Sequence, residues 1–215
     1  MNKPKANLET LDLSFFNHLL PLKRREVLAL PKNKFQHFYA VKQGALKAYQ
    51  IEANGKEVIR SFYFRGEILG YEAIAKGYYP FTVCALTDTL LYEIPYEHFL
   101  KLIHEQPALQ HHCLYLISKQ LNHGSYLSAS TAEQRLAAFL IELASRLHPL
   151  ERALAFSLPL SQQDMGSYLR LAAETISRLF SKLQKNKILT FAQKKVCILE
   201  SEKLQALAEG LSILC

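Results

Sequence analysis

The sequence predicts an α+β chain in which an antiparallel β-barrel or jelly roll precedes a set of helices that ends in a helix-turn-helix. Three observations predict it. From Phe35 to Ile94, β-rich runs are separated by Gly44, Asn54-Gly55, Gly66, Gly70 and Gly77. At Pro95 the apolar spacing changes from that of strands to that of helices. Residues 161–185 then carry two helical patterns joined by a short turn.

Residues 1–12 are polar and expected to be loose, and "LSFFNHLL" (13–20) reads as a short helix ended by Pro21. The stretch from Pro21 to Phe35 leaves little room for the opening strands of a barrel. "FQHFYAVKQG" ends at a glycine turn, and "ALKAYQIE" and "KEVIRSFYF" flank Asn54-Gly55, the strongest short hairpin signal. "FTVCALTDTLLYEI" (81–94) reads as a further strand pair or one long bent strand. Short strands with turns this close point to a barrel or jelly roll. "PYEHFLKLIHEQ" opens a helix with proline at its first position.

From Pro107 to about Ser130, Leu114, Ile117, Leu121 and Gly124 form one helical stripe, and Lys119 is the sole formal charge. Such a seam suits a second helix, so this segment is expected to pair two copies of the chain. "TAEQRLAAFLIELASRL" (131–147) buries Leu136, Phe139, Leu140, Leu143 and Leu147 and stops at His148-Pro149. "AFSLPL" reads as a short strand, residues 161–168 and 172–185 as helices, "KILTFAQKKVCILE" as a hairpin and "SEKLQALAE" as a last helix. The expected domains are therefore 1–106, a barrel; 107–130, a helix that pairs two copies; and 131–215, a domain built around the helix-turn-helix.

Composition narrows the function. Of 215 residues 49% are hydrophobic and 21% charged, which suits a folded globular chain. No apolar run can span a bilayer and "MNKPKANLETLDL" lacks a signal-peptide core, so no membrane partner and a cytoplasmic location are expected. The four cysteines include no C-x-x-C pair, and His111-His112, adjacent on a helix, face different ways; no metal site is expected. No Ser/His/Asp or Cys/His string, paired-carboxylate site or phosphate loop is present, so no catalytic residue is assigned and an enzyme is excluded. The formal charge is +7, yet Met165–Lys195 alone holds seven cations against Glu174, a net +6. A patch so concentrated is a polyanion footprint.

The patch coincides with the helix-turn-helix. Ser161 can cap the first helix, with Asp164 in capping-box spacing. Ile176, Leu179, Phe180 and Leu183 form the buried side of the second helix, which leaves Glu174, Ser177, Arg178 and Ser181 outward. In this motif the start of the second helix enters the major groove of double-stranded DNA. Arginine pairs with guanine there, and glutamate accepts from the cytosine amino group. Lys182, Lys185 and Ser161 are expected on phosphate, where Glu174 would be repelled. Arg170 stands in the turn where glycine is usual; a positive φ there would cost about 1 kcal/mol.

With "AAETISRLFSKLQ", "AEQRLAAFLIELASR", "GEILGYEAIAKGYYP" and "YEIP", the chain resembles the CRP/FNR family of bacterial transcription regulators over roughly residues 35–209, most of all its FNR branch. The resemblance implies a cyclic-nucleotide-binding-like jelly roll, a long dimer helix and a C-terminal winged helix-turn-helix. It further implies a homodimer that contacts RNA polymerase, base reading by Glu174, Ser177 and Arg178 on a palindrome with TTGAT-like half-sites, and a wing with Lys194 and Lys195 near phosphate. Two departures bear on cofactors. Residues 1–34 hold no cysteine and Tyr92 stands where the barrel ligand of an iron–sulfur cluster would fall. Pro80-Phe81-Thr82 replaces the Arg-Ser pair that clamps a cyclic phosphate, which would be buried unpaired. No cofactor is therefore expected. A second reading makes the barrel a small-molecule or haem sensor that controls a DNA-binding domain of different site preference, with Thr82, Tyr78 and Tyr79 as pocket polar groups.

Overall fold

Eight short strands are shared between two antiparallel sheets because the chain repeatedly turns a corner from one to the other. The computed structural model describes residues 18–122, 124–129, 131–147 and 155–211. They fall into two compact units, residues 1–51 with 60–123 and residues 52–59 with 124–215. Elements run β1 (Leu19–Leu22), β2 (Val27–Ala29), β3 (His37–Gln43), β4 (Ala45–Ile51), β5 (Glu57–Phe64), β6 (Ile68–Leu69), α1 (Tyr71–Ile74), β7 (Thr82–Ala85), β8 (Thr89–Pro95), α2 (Tyr96–Glu105) and α3 (Pro107–Leu121). The sheets have strand orders β1-β8-β3-β6 and β2-β7-β4-β5, a jelly-roll arrangement.

The corner between β3 and β4 requires Gly44. Its φ is 92°, and a Cβ there would lie 2.6 Å from the Asp88 carbonyl oxygen. Asn54-Gly55 makes the hairpin between β4 and β5, as its sequence signals. Phe38, Leu46, Leu69, Leu91 and Ile94 fill the core, and the Phe99 ring of α2 closes on Phe38 at 4.5 Å. Leu109 and Cys113 carry α3 onto the same core.

Three expectations change. The helix over 13–20 is not found in its described part: Leu19–Leu22 is a strand, with Pro21 opposite Leu90. β1 is an edge strand, where a proline costs no ladder bond. The 81–94 stretch is neither a strand pair nor one strand. β7 pairs with β2 and β4, while β8 pairs with β1 and β3 in the other sheet. Finally, α3 stops at Leu121 rather than near Ser130. Asn122 folds back to donate to Ser118 O at 2.8 Å. Gly124, expected on the seam, sits at φ 72° ahead of the 3-10 turn Ser125–Ser128. It is a turn residue, because its left-handed backbone cannot continue a helix.

The second unit holds α4 (Ala132–Leu147), β9 (Ala155–Ser157), α5 (Gln162–Leu169), α6 (Ala173–Lys185), β10 (Leu189–Ala192), β11 (Lys195–Ile198) and α7 (Ser201–Ala208), with strands ordered β10-β11-β9. Thr131 caps α4 reciprocally with Gln134, at 2.9 and 3.1 Å. Leu136, Phe139, Leu140 and Leu143 are buried as expected, and Leu147 half so. Arg146 is buried too, held by Glu142 at 2.9 Å. The expected stop at His148-Pro149 lies outside the described residues.

The barrel core should be sensitive to cavity formation. Phe38→Ala is expected to lower stability by about 3–5 kcal/mol, read from urea unfolding of the full chain.

Candidate nucleic-acid interface

Helix α6 decides the geometry of this surface. Ile176, Phe180 and Leu183 are each no more than 1% exposed, so that side of the helix is spent on the core. The Phe180 ring stacks on Phe191 of β10 at 4.3 Å, which fixes the rotation of α6 against the hairpin behind it. At 100° per residue the opposite side must then carry Glu174, Ser177, Arg178 and Ser181, and all four are exposed. Ser181 Oγ turns back to Ser177 O at 3.1 Å, whereas the Glu174 and Arg178 side chains have no partner among the described residues.

Glu174 also has a local role. The N-cap of α6 is Ala172, which supplies no side-chain bond, and Glu174 lies in the first turn. A carboxylate there complements the positive end of the helix dipole. Its charge is therefore supported within the helix itself.

Helix α5 opens with the expected capping box. Ser161 N donates to Asp164 Oδ2 and Asp164 N donates to Ser161 Oγ, both at 3.0 Å. The Ser161 hydroxyl also faces Asp164 Oδ2, so the group expected on phosphate is engaged within its own cap. Gly166 packs against the turn: a Cβ there would come within 2.8 Å of Leu171 O. The turn residue Arg170 is left-handed, at φ 57° and ψ 45°, so the strain expected of it is present.

Among the cations, Lys185, Lys194 and Lys195 are exposed and unpaired among the described residues. Lys194 shares with Gln193 a two-residue turn between β10 and β11, both at positive φ, and Leu158 N donates to Lys194 O at 2.7 Å. Lys182 is different. Its Nζ lies 2.6 Å from Glu133 Oε2 of α4, so it ties α6 to α4 rather than standing free. Glu133 was missed in the sequence because the pair is separated by 49 positions and has no local signature.

Two family models match the chain: the Cyclic nucleotide-binding domain over residues 19–106 and the Crp-like helix-turn-helix domain over 134–207. The transcriptional activator protein anr of Pseudomonas aeruginosa is 35% identical over 195 residues, 88% of this chain and 80% of that protein. The chain belongs to the CRP/FNR family of transcription regulators. The fumarate and nitrate reduction regulatory protein of Vibrio cholerae is 32% identical over 211 residues, 95% of this chain and 83% of that protein. In fold, the chain is similar to the structure of FixK2 from Bradyrhizobium japonicum, with TM-score 0.79 over 92% of this chain and 98% of that one at 24% identity. These CRP/FNR relatives are regulators and not enzymes. No described helix is long and apolar enough to cross a membrane.

The barrel residues do not fit the ligands of the wider CRP/FNR family. Thr82 is buried, Tyr78 is exposed, and Tyr79 donates its hydroxyl to His37 O at 2.6 Å. The three polar groups considered for a pocket thus do not converge. Glu72 in this part of the barrel accepts from Tyr63 Oη at 2.9 Å. Burial pushes the Tyr63 hydroxyl well above its ordinary pKa, and Glu72 adds to this, so Tyr63 stays a neutral donor. Tyr92, in the place considered for a cluster ligand, lies under Lys42 Nζ at 5.1 Å. Burial pushes the Cys113 thiol up to about 11, so it stays protonated as a small core side chain. Among the described residues no group of three His, Cys, Asp or Glu side chains could hold a metal ion.

The Lys182–Glu133 pair gives a test of the surface. Glu133→Gln should release Lys182 and steepen the salt dependence of DNA binding by up to about 0.9 in log–log slope. Its effect on stability should stay within about 1 kcal/mol. Fluorescence anisotropy at several salt concentrations and thermal unfolding measure the two.

Proposed function

We propose that the chain is a cytoplasmic homodimeric regulator that binds a palindrome of TTGAT-like half-sites and contacts RNA polymerase. Glu174, Ser177 and Arg178 read bases in each half-site, and Lys185, Lys194 and Lys195 meet phosphate. The observation that carries this reading is the outward face of α6, where a partner-free carboxylate and guanidinium stand four residues apart within a cationic surround. A surface built for charge attraction alone would gain nothing from Glu174 beside phosphate. The named activator among the relatives favours activation over repression.

The dimer rests on α3. Leu109 and Cys113 are buried against the barrel, yet Leu114 is 61% exposed and Leu121 is 82% exposed, with Ile117 half-buried beside them. An apolar stripe so open, with no charge to push two copies apart, suits a partner helix from a second chain. The dimer is expected without added cofactor.

Two measurements test the proposal. A duplex bearing the palindrome should bind at least about 1000-fold more tightly than a scrambled duplex, and both affinities should fall steeply with salt. Glu174→Ala should remove about 1–3 kcal/mol of that discrimination while scrambled-duplex affinity holds or rises. A uniform loss on both duplexes would instead mark Glu174 as a helix-stabilising residue only. Sedimentation of the purified chain at micromolar concentration should show a dimer, and Leu121→Glu should shift it to monomer; a monomeric parent contradicts the α3 seam.

A further inference from the structure

Both helices of the helix-turn-helix end in the same way, and at the same position each carries a cation that its backbone does not favour. At the end of α5, Arg170 N donates to Ser167 O and Leu171 N donates to Gly166 O at 2.8 Å. At the end of α6, Lys187 N donates to Gln184 O at 2.9 Å and Ile188 N donates to Leu183 O at 3.0 Å. This is the Schellman closure, whose first residue past the helix must be left-handed and is usually glycine. Arg170 has φ 57° and Lys187 φ 55°. Helix α7 closes identically, with Gly210 N on Leu207 O and Leu211 N on Ala206 O, and there the residue is glycine at φ 79°. A Cβ at Gly210 would also meet the end of the Gln134 side chain.

At Arg170 and Lys187 the space is open. Both side chains are exposed, and neither has a hydrogen bond or ion pair among the described residues. The closing hydrogen bonds hold the left-handed backbone, but glycine would make them without strain, so an exposed cation at both positions points outward to a ligand. The two cations also bracket the reading face: Arg170 stands three residues before α6 begins and Lys187 two residues past its end.

We propose that Arg170 and Lys187 are phosphate-contacting residues that extend the DNA footprint beyond both ends of α6. The proposal rests on the DNA reading above. Left-handed cations occur in the barrel unit as well, at Arg25 and Lys32, and Lys32 supplies a control because it is exposed and strained but lies outside the helix-turn-helix unit.

The experiment compares Arg170→Gly, Lys187→Gly and Lys32→Gly in the full chain, by anisotropy against the palindromic and scrambled duplexes across a salt series. Glycine relieves the strain in all three, so each unfolding midpoint should hold or rise. Arg170→Gly and Lys187→Gly should each flatten the log–log salt slope by about 0.9, equally on both duplexes, as loss of one phosphate contact requires. Lys32→Gly should keep the parent slope. A parent-like slope in both helix-turn-helix variants overturns the proposal and leaves the DNA reading standing, and in one variant it removes that residue from the footprint. A change confined to the palindrome also overturns it, since that marks base contact. If the parent chain binds neither duplex, the DNA reading falls and this proposal falls with it.

Discussion

The burial of Ile176, Phe180 and Leu183 is the constraint on which the rest of the DNA-binding unit depends. A helix of 3.6 residues per turn has one degree of freedom once its axis is placed, its rotation, and three core side chains remove it. The stack of Phe180 on Phe191 couples that rotation to the hairpin behind, so α6 and the β10–β11 turn are oriented together. What faces outward follows from this without further design: Glu174, Ser177, Arg178 and Ser181 on the helix. Cations occupy the ends and the turn, and one of them, Lys182, is diverted to Glu133.

The barrel follows a different logic. Its two sheets enclose an aromatic core in which three tyrosine hydroxyls are held by acceptors: Tyr63 by Glu72, Tyr39 by Glu93 at 3.2 Å, and Tyr79 by the His37 carbonyl. Burial raises the pKa of the Tyr39 hydroxyl as it does for Tyr63, so these tyrosines act as neutral donors that pin strands together.

Helix α6 was legible in the sequence because everything that defines it is local. Capping spacing at Ser161 and Asp164, apolar period and charge lie within 25 positions; the expected outward face is exposed, and of the expected inward face Ile176, Phe180 and Leu183 are buried while Leu179 is half-buried. Arg170 could be flagged for the same reason, since a turn of known shape demands a known φ. Strand pairing was less legible. Whether 81–94 folds on itself or splits between sheets depends on β2, β3 and β4, far away in the chain. Pro21 looked like a helix stop because nothing local marks an edge strand. Gly124 continued an apolar period by coincidence, after Asn122 had already turned the chain. The Lys182–Glu133 contact joins two helices and leaves no trace in either helix alone.

The claim that α6 reads sequence is tested most directly by selection of bound duplexes from a randomised library, run in parallel for the parent chain and for Glu174→Gln. Glutamine keeps the size of the side chain and removes its charge. The parent is expected to enrich a palindrome of TTGAT-like half-sites. Glu174→Gln is expected to enrich the same palindrome with preference lost at one base pair of each half-site. Enrichment of no common sequence by the parent, or an identical palindrome from both proteins, would contradict base reading by Glu174.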